Sequence, residues 1–404
     1  MFRKAQLLFE EITAKVENNT SHFGWFLQLF FALLILRLTL EFFSSQKLFT
    51  PFDIIHIGLW FVFIVSAFLL QLHFFSGENI LKVAKLVFTF FSISLSAPII
   101  DLFFFKGQAA KMNYLSINNW PQFAWSYMSI GGANLQRGAT LGIRIEIILL
   151  VVACFNYVRT KRNSIGYGLI AAWCIYTVLF LSGAVPFLLG ILVNGLDLHY
   201  QPNDQSNISL FVLIDFLLLL TALYRYDPAF MQRYFFSFSS AYVVSFVLIY
   251  VAIGAYLACH LYPTNWFLNP TTLFYFPLLI CIGLCFLFLW NLQQGGVAVP
   301  GGFTIKTAIA VLLFILSIVI SYKAFFTVFI TWSILFLLNE PPLFFSGIPI
   351  LKNLFYGFLF IGFSWIGFCC FGGVLIGFPS VYIFILFVIA SLVSYVHDYR
   401  KIMT

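Results

Sequence analysis

Apolar runs of membrane-crossing length recur along almost the whole chain, parted by short breaks rich in charge, Pro, Gly or Asn. About 20 apolar residues in a helix cross roughly 30 Å of hydrocarbon. Read between the breaks, the pattern predicts twelve such segments. The first six are Gly24–Phe43, Ile54–Phe75, Leu86–Phe105, Leu141–Val158, Tyr167–Val193 and Ser209–Tyr224. The second six are Ser239–Cys259, Thr271–Leu292, Thr307–Tyr322, Ala324–Leu338, Leu354–Leu375 and Val381–Val396. Strand edges in lipid would leave backbone groups without partners, so all should be helices. The expected fold is an all-α polytopic membrane protein with about 12 transmembrane helices.

Residues 1–23 break the pattern. Ala5, Leu8, Ile12 and Val16 recur at helical spacing among Arg3, Lys4, Glu10, Glu11, Lys15 and Glu17. That alternation predicts an amphipathic helix on the membrane surface or against a partner. It lacks the apolar core followed by small residues that a cleavable signal requires.

Composition closes off other classes. The chain is 62% hydrophobic and 9% charged, with mean hydropathy +1.00. A soluble domain is about one quarter charged. Soluble enzymes, nucleic-acid binders and secreted disulfide scaffolds are therefore excluded. The seven cysteines all fall in apolar runs and read as small buried hydrophobes, with no metal-ligand spacing. The net charge of +7 is distributed unevenly. With both termini cytoplasmic, 14 of the 21 Lys and Arg fall in inner segments and five in outer ones. This is the topogenic bias of a multi-pass protein of a bacterial-type inner (plasma) membrane.

Charge inside a span is costly and marks a pairing or functional site. Arg37 and Glu41, four apart, share a helix face near the end of their span and are expected to pair and turn outward. Asp101 follows Pro98 near the outer end of the third span, and Arg144 and Glu146 open the fourth at similar depth, so these three are expected to meet. Asp215 stands alone in a leucine-rich span. These residues read either as polar glue between helices or as a buried ligand site. The outer segment Gly107–Thr140, with Trp120, Phe123, Trp125 and Tyr127, reads as an interfacial aromatic belt or a re-entrant element.

The second half carries a family likeness. Tyr226-Asp227-Pro228 through Arg233 precedes a span, and Asn339-Glu340-Pro341-Pro342-Leu343 leads into Gly347-Ile348-Pro349-Ile350-Leu351-Lys352-Asn353-Leu354. Over residues 227–404 this order resembles the UbiA superfamily of membrane prenyltransferases, whose members carry a similar Pro-Pro-Leu … Lys-x-x-Pro-x-Leu-x-Asn segment. The resemblance implies a six-helix domain with a lipid-holding groove, its loops marked by Asn291, Pro300, Glu340 and Lys352. Those enzymes hold magnesium diphosphate on aspartate-rich loops, because hard cations need clustered carboxylate oxygens. Here no aspartate lies between Asn291 and Pro300, and the second such position offers only Asp398.

The expected organisation is a surface helix at 1–23, a six-helix domain of no recognised family at 24–226 and a UbiA-like domain without metal-binding motifs at 227–404. The expected function is non-catalytic: binding a lipid or isoprenoid, or serving as an integral subunit beside other membrane proteins. No other cofactor, no metal and no nucleic acid are expected. Two alternatives remain open at this point. One is an enzyme acting on a lipid-linked substrate at the outer face through Asp101, Arg144 and Glu146; the other is a transporter or flippase around Asp215.

Overall fold

A computed structural model describes residues 2–21, 23–45, 51–106, 113–131, 139–194, 204–234, 238–261, 279–286, 289, 309–314, 317, 322–339, 349–370 and 380–403. Every regular element among them is helical. Among the described residues, five helices are long and apolar enough to cross a membrane: Phe23–Ser45, His56–Ser76, Ile80–Phe105, Leu141–Arg162 and Ile165–Gly183. They mark a membrane protein. The chain divides into two compact units, Met1–Tyr226 and Asp227–Thr404.

In the first unit, α1 (Phe2–Glu17) is followed by α2 (Phe23–Ser45), α3 (Pro51–Ser76) and α4 (Ile80–Phe90). A 3-10 turn at Phe91–Leu95 joins α4 to α5 (Ser96–Phe105) within one span. Next come the short α6 (Trp120–Met128), then α7 (Leu141–Arg162), α8 (Ile165–Gly183), α9 (Val185–Asn194) and α10 (Asp204–Tyr226). The core forms where α2, α3, α4, α7 and α8 meet, around Phe30, Phe61, Leu86, Val158 and Ile175. Between apolar helices in lipid such contacts stabilise by close van der Waals packing. Gly142 on α7 is one such point: a methyl group there would overlap the Ala97 carbonyl oxygen of α5.

One expectation needs correction. The fifth predicted span, Tyr167–Val193, is broken at Ala184, because Pro186 cannot supply the N–H that would continue the helix. At the end of α8 the Gly183 carbonyl accepts from Leu115 N–H at 2.8 Å. The helix α1 divides its apolar residues, with Phe9 and Val16 against the core. Leu8 and Ile12 are exposed, together with Leu7, whereas the polar Thr13 and Glu17 are buried against the bundle. Glu11 and Lys15 pair on the exposed side at 2.8 Å, which holds the Glu11 carboxyl below its ordinary value.

The second unit includes α11 (Pro228–Tyr234) and α12 (Phe238–Leu261), then helices Tyr322–Asn339, Pro349–Cys370 and Ser380–Met403. Small residues set its packing. A methyl group on Gly254 of α12 would overlap the Ser364 carbonyl oxygen, and one on Gly367 would overlap the Val251 carbonyl oxygen. Reciprocal glycines thus let two helices approach backbone to backbone. Across that contact Ser364 Oγ donates to the Tyr250 carbonyl at 3.0 Å, and Tyr250 donates its hydroxyl proton to the Leu386 carbonyl at 3.1 Å.

Candidate functional site

The inward stripe of α2 changes character along its length. Phe26, Phe30 and Leu34 are buried, and one further turn on the same face brings Arg37, Glu41 and Ser44 inward. Arg37 is 2% exposed and Glu41 5%. The expected outward turn does not occur: Arg37 Nη1 donates to Glu41 Oε2 at 2.5 Å inside the bundle. Neighbouring helices complete the shell. The guanidinium sits over the Phe61 ring at 5.7 Å, and its Nη2 lies 3.7 Å from Glu146 Oε2 on α7.

Asp101 joins this cluster from α5. Thr140 caps α7: its Oγ1 accepts from Ile143 N–H at 3.2 Å and donates its own proton to Asp101 Oδ2 at 2.5 Å. Gly142 N–H donates to Asp101 Oδ1 at 2.9 Å. Both carboxylate oxygens are thus held at the start of α7, where the exposed N–H groups and the helix dipole favour negative charge. Asp101, Glu41 and Arg37 all act electrostatically on Glu146. The structure therefore brings together Arg37, Glu41, Asp101 and Glu146. Arg144 was expected to supply the basic partner; it donates from Nε to the Ala139 carbonyl at 3.3 Å, and Arg37 faces Glu146.

Two cavities meet at Glu146. One, of about 90 Å³, is lined by Arg37, Trp60, Ile143 and Tyr176, and is closed over by Asn113, Leu115, Ile130 and Gly131. The other, of about 50 Å³, runs along Phe68, Leu86, Phe91, Cys154 and Tyr157. Phe61, Ile64, Glu146 and Leu179 line both. The two cavities adjoin along these shared residues as a two-part chamber, with Arg37 and Glu146 on one side and mostly apolar side chains on the other.

The roof belongs to the aromatic segment that follows α5. Asn119 caps α6 by accepting from Gln122 N–H at 2.9 Å. Phe123 packs edge-on against Phe180 of α8 at 5.1 Å, and Tyr127 shares a hydroxyl hydrogen bond with Thr177 at 2.9 Å. Upstream, Tyr114 stacks on Trp60 at 4.9 Å and bonds through its hydroxyl to His56 Nε2. This segment is folded down on the bundle.

At the far end of the chamber Tyr157 donates its hydroxyl proton to Glu17 Oε1 at 2.7 Å, tying α1 to α7. Lys161 bonds Glu17 Oε2 and lies 3.2 Å from Glu78 Oε1.

Asp215, on α10, is 4% exposed, and neither of its carboxylate oxygens has a hydrogen-bond partner; it lines neither cavity. Asn291, Pro300 and Glu340 lie outside the described residues, and Lys352 falls in the helix Pro349–Cys370. Sequence reasoning missed Trp60, Tyr114 and Glu17. The spacing of His56 and Trp60, one turn apart in a span, was a signal for the first of these.

No family model, no curated protein and no solved structure matches this chain.

Proposed function

We propose that this is a non-catalytic, multi-pass membrane protein that holds a lipid or isoprenoid, and that the chamber of its first unit is the seat. The observation that carries the reading is that two adjoining cavities, one beside Arg37 and one lined by phenylalanines, share Phe61, Ile64, Glu146 and Leu179. A polar end with a buried ion pair would fix a head group, and the Phe-lined end would take the start of a chain.

The proposal includes about 12 spans with both termini cytoplasmic in a bacterial-type inner membrane, on the strength of the basic-residue bias. It keeps residues 227–404 as a UbiA-like domain without metal chemistry, in which Asn291, Pro300, Glu340 and Lys352 flank a second groove, and it allows other membrane subunits as partners. A transporter built on Asp215 has less behind it, since that carboxylate lines neither cavity.

The test is extraction in mild detergent followed by mass analysis of co-purifying amphiphiles. The wild-type chain should retain one species enriched over bulk membrane lipid, and Leu179→Trp, which fills the shared wall, should lose it. Equal lipid profiles for the two proteins would overturn the reading.

A further inference from the structure

The cavity beside Arg37 is lined by residues with three polar atoms that lack a hydrogen bond, one of them, Glu146 Oε2, standing 3.7 Å from Arg37 Nη2 in an ion pair. Arg37 Nε, Trp60 Nε1 and Glu146 Oε2 are each buried and make no hydrogen bond, and all three residues line the cavity of about 90 Å³. Arg37 and Trp60 are 2% and 6% exposed. Buried polar groups are almost always satisfied, so a set of three around one cavity calls for an occupant.

The chemistry of the set is specific. Two groups are N–H donors and the third is a carboxyl oxygen. We infer that this cavity receives a hydroxyl group, the terminal alcohol of an amphiphile whose chain enters the Phe61–Tyr157 cavity; this rests on the binding reading above. A hydroxyl accepts through two lone pairs and donates one proton, which matches two donors and one acceptor. An ammonium head donates only, leaving the Arg37 and Trp60 N–H groups without acceptors. A carboxylate or phosphate head accepts only and meets the Glu146 carboxyl, with Glu41 already paired to Arg37, the single basic side chain among the described lining residues. Size agrees as well. A cavity of roughly 150 Å³ holds a benzene ring, so spaces of about 90 and 50 Å³ admit a head and the first several carbons.

The test uses 1-hexanol, hexanoate and hexylammonium, three heads on one chain, titrated calorimetrically into the full chain in nanodiscs against empty nanodiscs. Saturable binding of hexanol, with the two charged probes at least about ten-fold weaker, is expected. Trp60→Phe keeps the ring stacked on Tyr114 but removes one donor, and should weaken hexanol about five-fold, the value of one ordinary hydrogen bond. Far-UV circular dichroism checks that the variant is folded. Hexanoate or hexylammonium binding as tightly as hexanol would overturn the hydroxyl assignment while the amphiphile reading stands. Unchanged hexanol affinity in folded Trp60→Phe would overturn it too. If no probe binds but the amphiphile is still retained in a Leu179-dependent way, the head-group inference alone fails. If retention is absent as well, both fail.

Discussion

Replacing Arg37 by Met removes the single cation from a buried set that keeps Glu41, Asp101 and Glu146. Asp101 keeps its two donors, Thr140 Oγ1 and Gly142 N–H, so the loss falls on Glu41 and Glu146. Breaking a buried pair on one side costs about 3–5 kcal/mol, because the remaining charge stays out of water. The lower end applies in a bilayer, where the unfolded reference state also finds polar partners. Removing the carboxylates too reverses the expectation. The triple variant Arg37→Met, Glu41→Leu, Glu146→Leu should lie within about 1 kcal/mol of wild type or above it, since apolar replacement of a whole buried ion set is often neutral or stabilising. Titration with SDS in mixed micelles, followed by far-UV circular dichroism, measures both. A single variant costing less than about 1 kcal/mol, or a triple variant as unstable as the single, would refute the burial and pairing argued for this cluster.

Asp215→Leu should raise stability in the same assay by about 1 kcal/mol or more, because it removes a buried carboxylate whose oxygens make no hydrogen bond; a loss of stability would mean that the carboxylate serves a bound ion or a partner. Gly254→Leu should separate α12 from the helix Pro349–Cys370, since even a methyl group overlaps the Ser364 carbonyl oxygen; a cost below about 1 kcal/mol would contradict that packing. Tyr157→Phe keeps the ring in the apolar cavity and removes the hydroxyl that holds Glu17. Amide exchange over residues 2–17 should quicken roughly ten-fold, the effect of one hydrogen bond to a charged group, while amphiphile retention stays unchanged; unaltered exchange would refute the tie.

Some of this architecture was legible in the chain. Span length is set by bilayer thickness, so the start of α7 at Leu141 could be read from where charge gives way to apolar residues, while its helix runs on past the expected Val158 to Arg162. The four-residue spacing of Arg37 and Glu41 fixes their common face whatever surrounds the helix. The direction in which that face points was not legible. In a soluble helix polarity marks the outer face, but α2 and α3 are apolar nearly all round, so periodicity carries no such information. The pair was accordingly expected to face outward and is buried. Trp60 stands one turn after His56, but in a chain with 54 phenylalanines that spacing alone does not set it apart. Its meaning comes from Tyr114, which only the folded roof segment brings beside it. The bond between Glu17 and Tyr157 joins residues 140 positions apart, beyond the reach of any local pattern.

One helix ties these features together. Along α7, Gly142 and Glu146 stand at the roofed end, Cys154 faces the apolar cavity, and Tyr157 and Lys161 reach α1 at the other end. Gly142 fixes the helix against α5 by backbone contact, and Thr140 caps it while holding Asp101. Tyr157 belongs to both systems, since its ring lines the cavity and its hydroxyl holds Glu17. A chain seated in the cavity would therefore touch the residue that fastens the N-terminal helix. Cavity and α1 thus meet at Tyr157, which bonds Glu17, and at Phe90, whose ring stacks on Phe9 at 5.7 Å, so Phe9 and Glu17 both face the bundle while Leu7, Leu8 and Ile12 are left exposed.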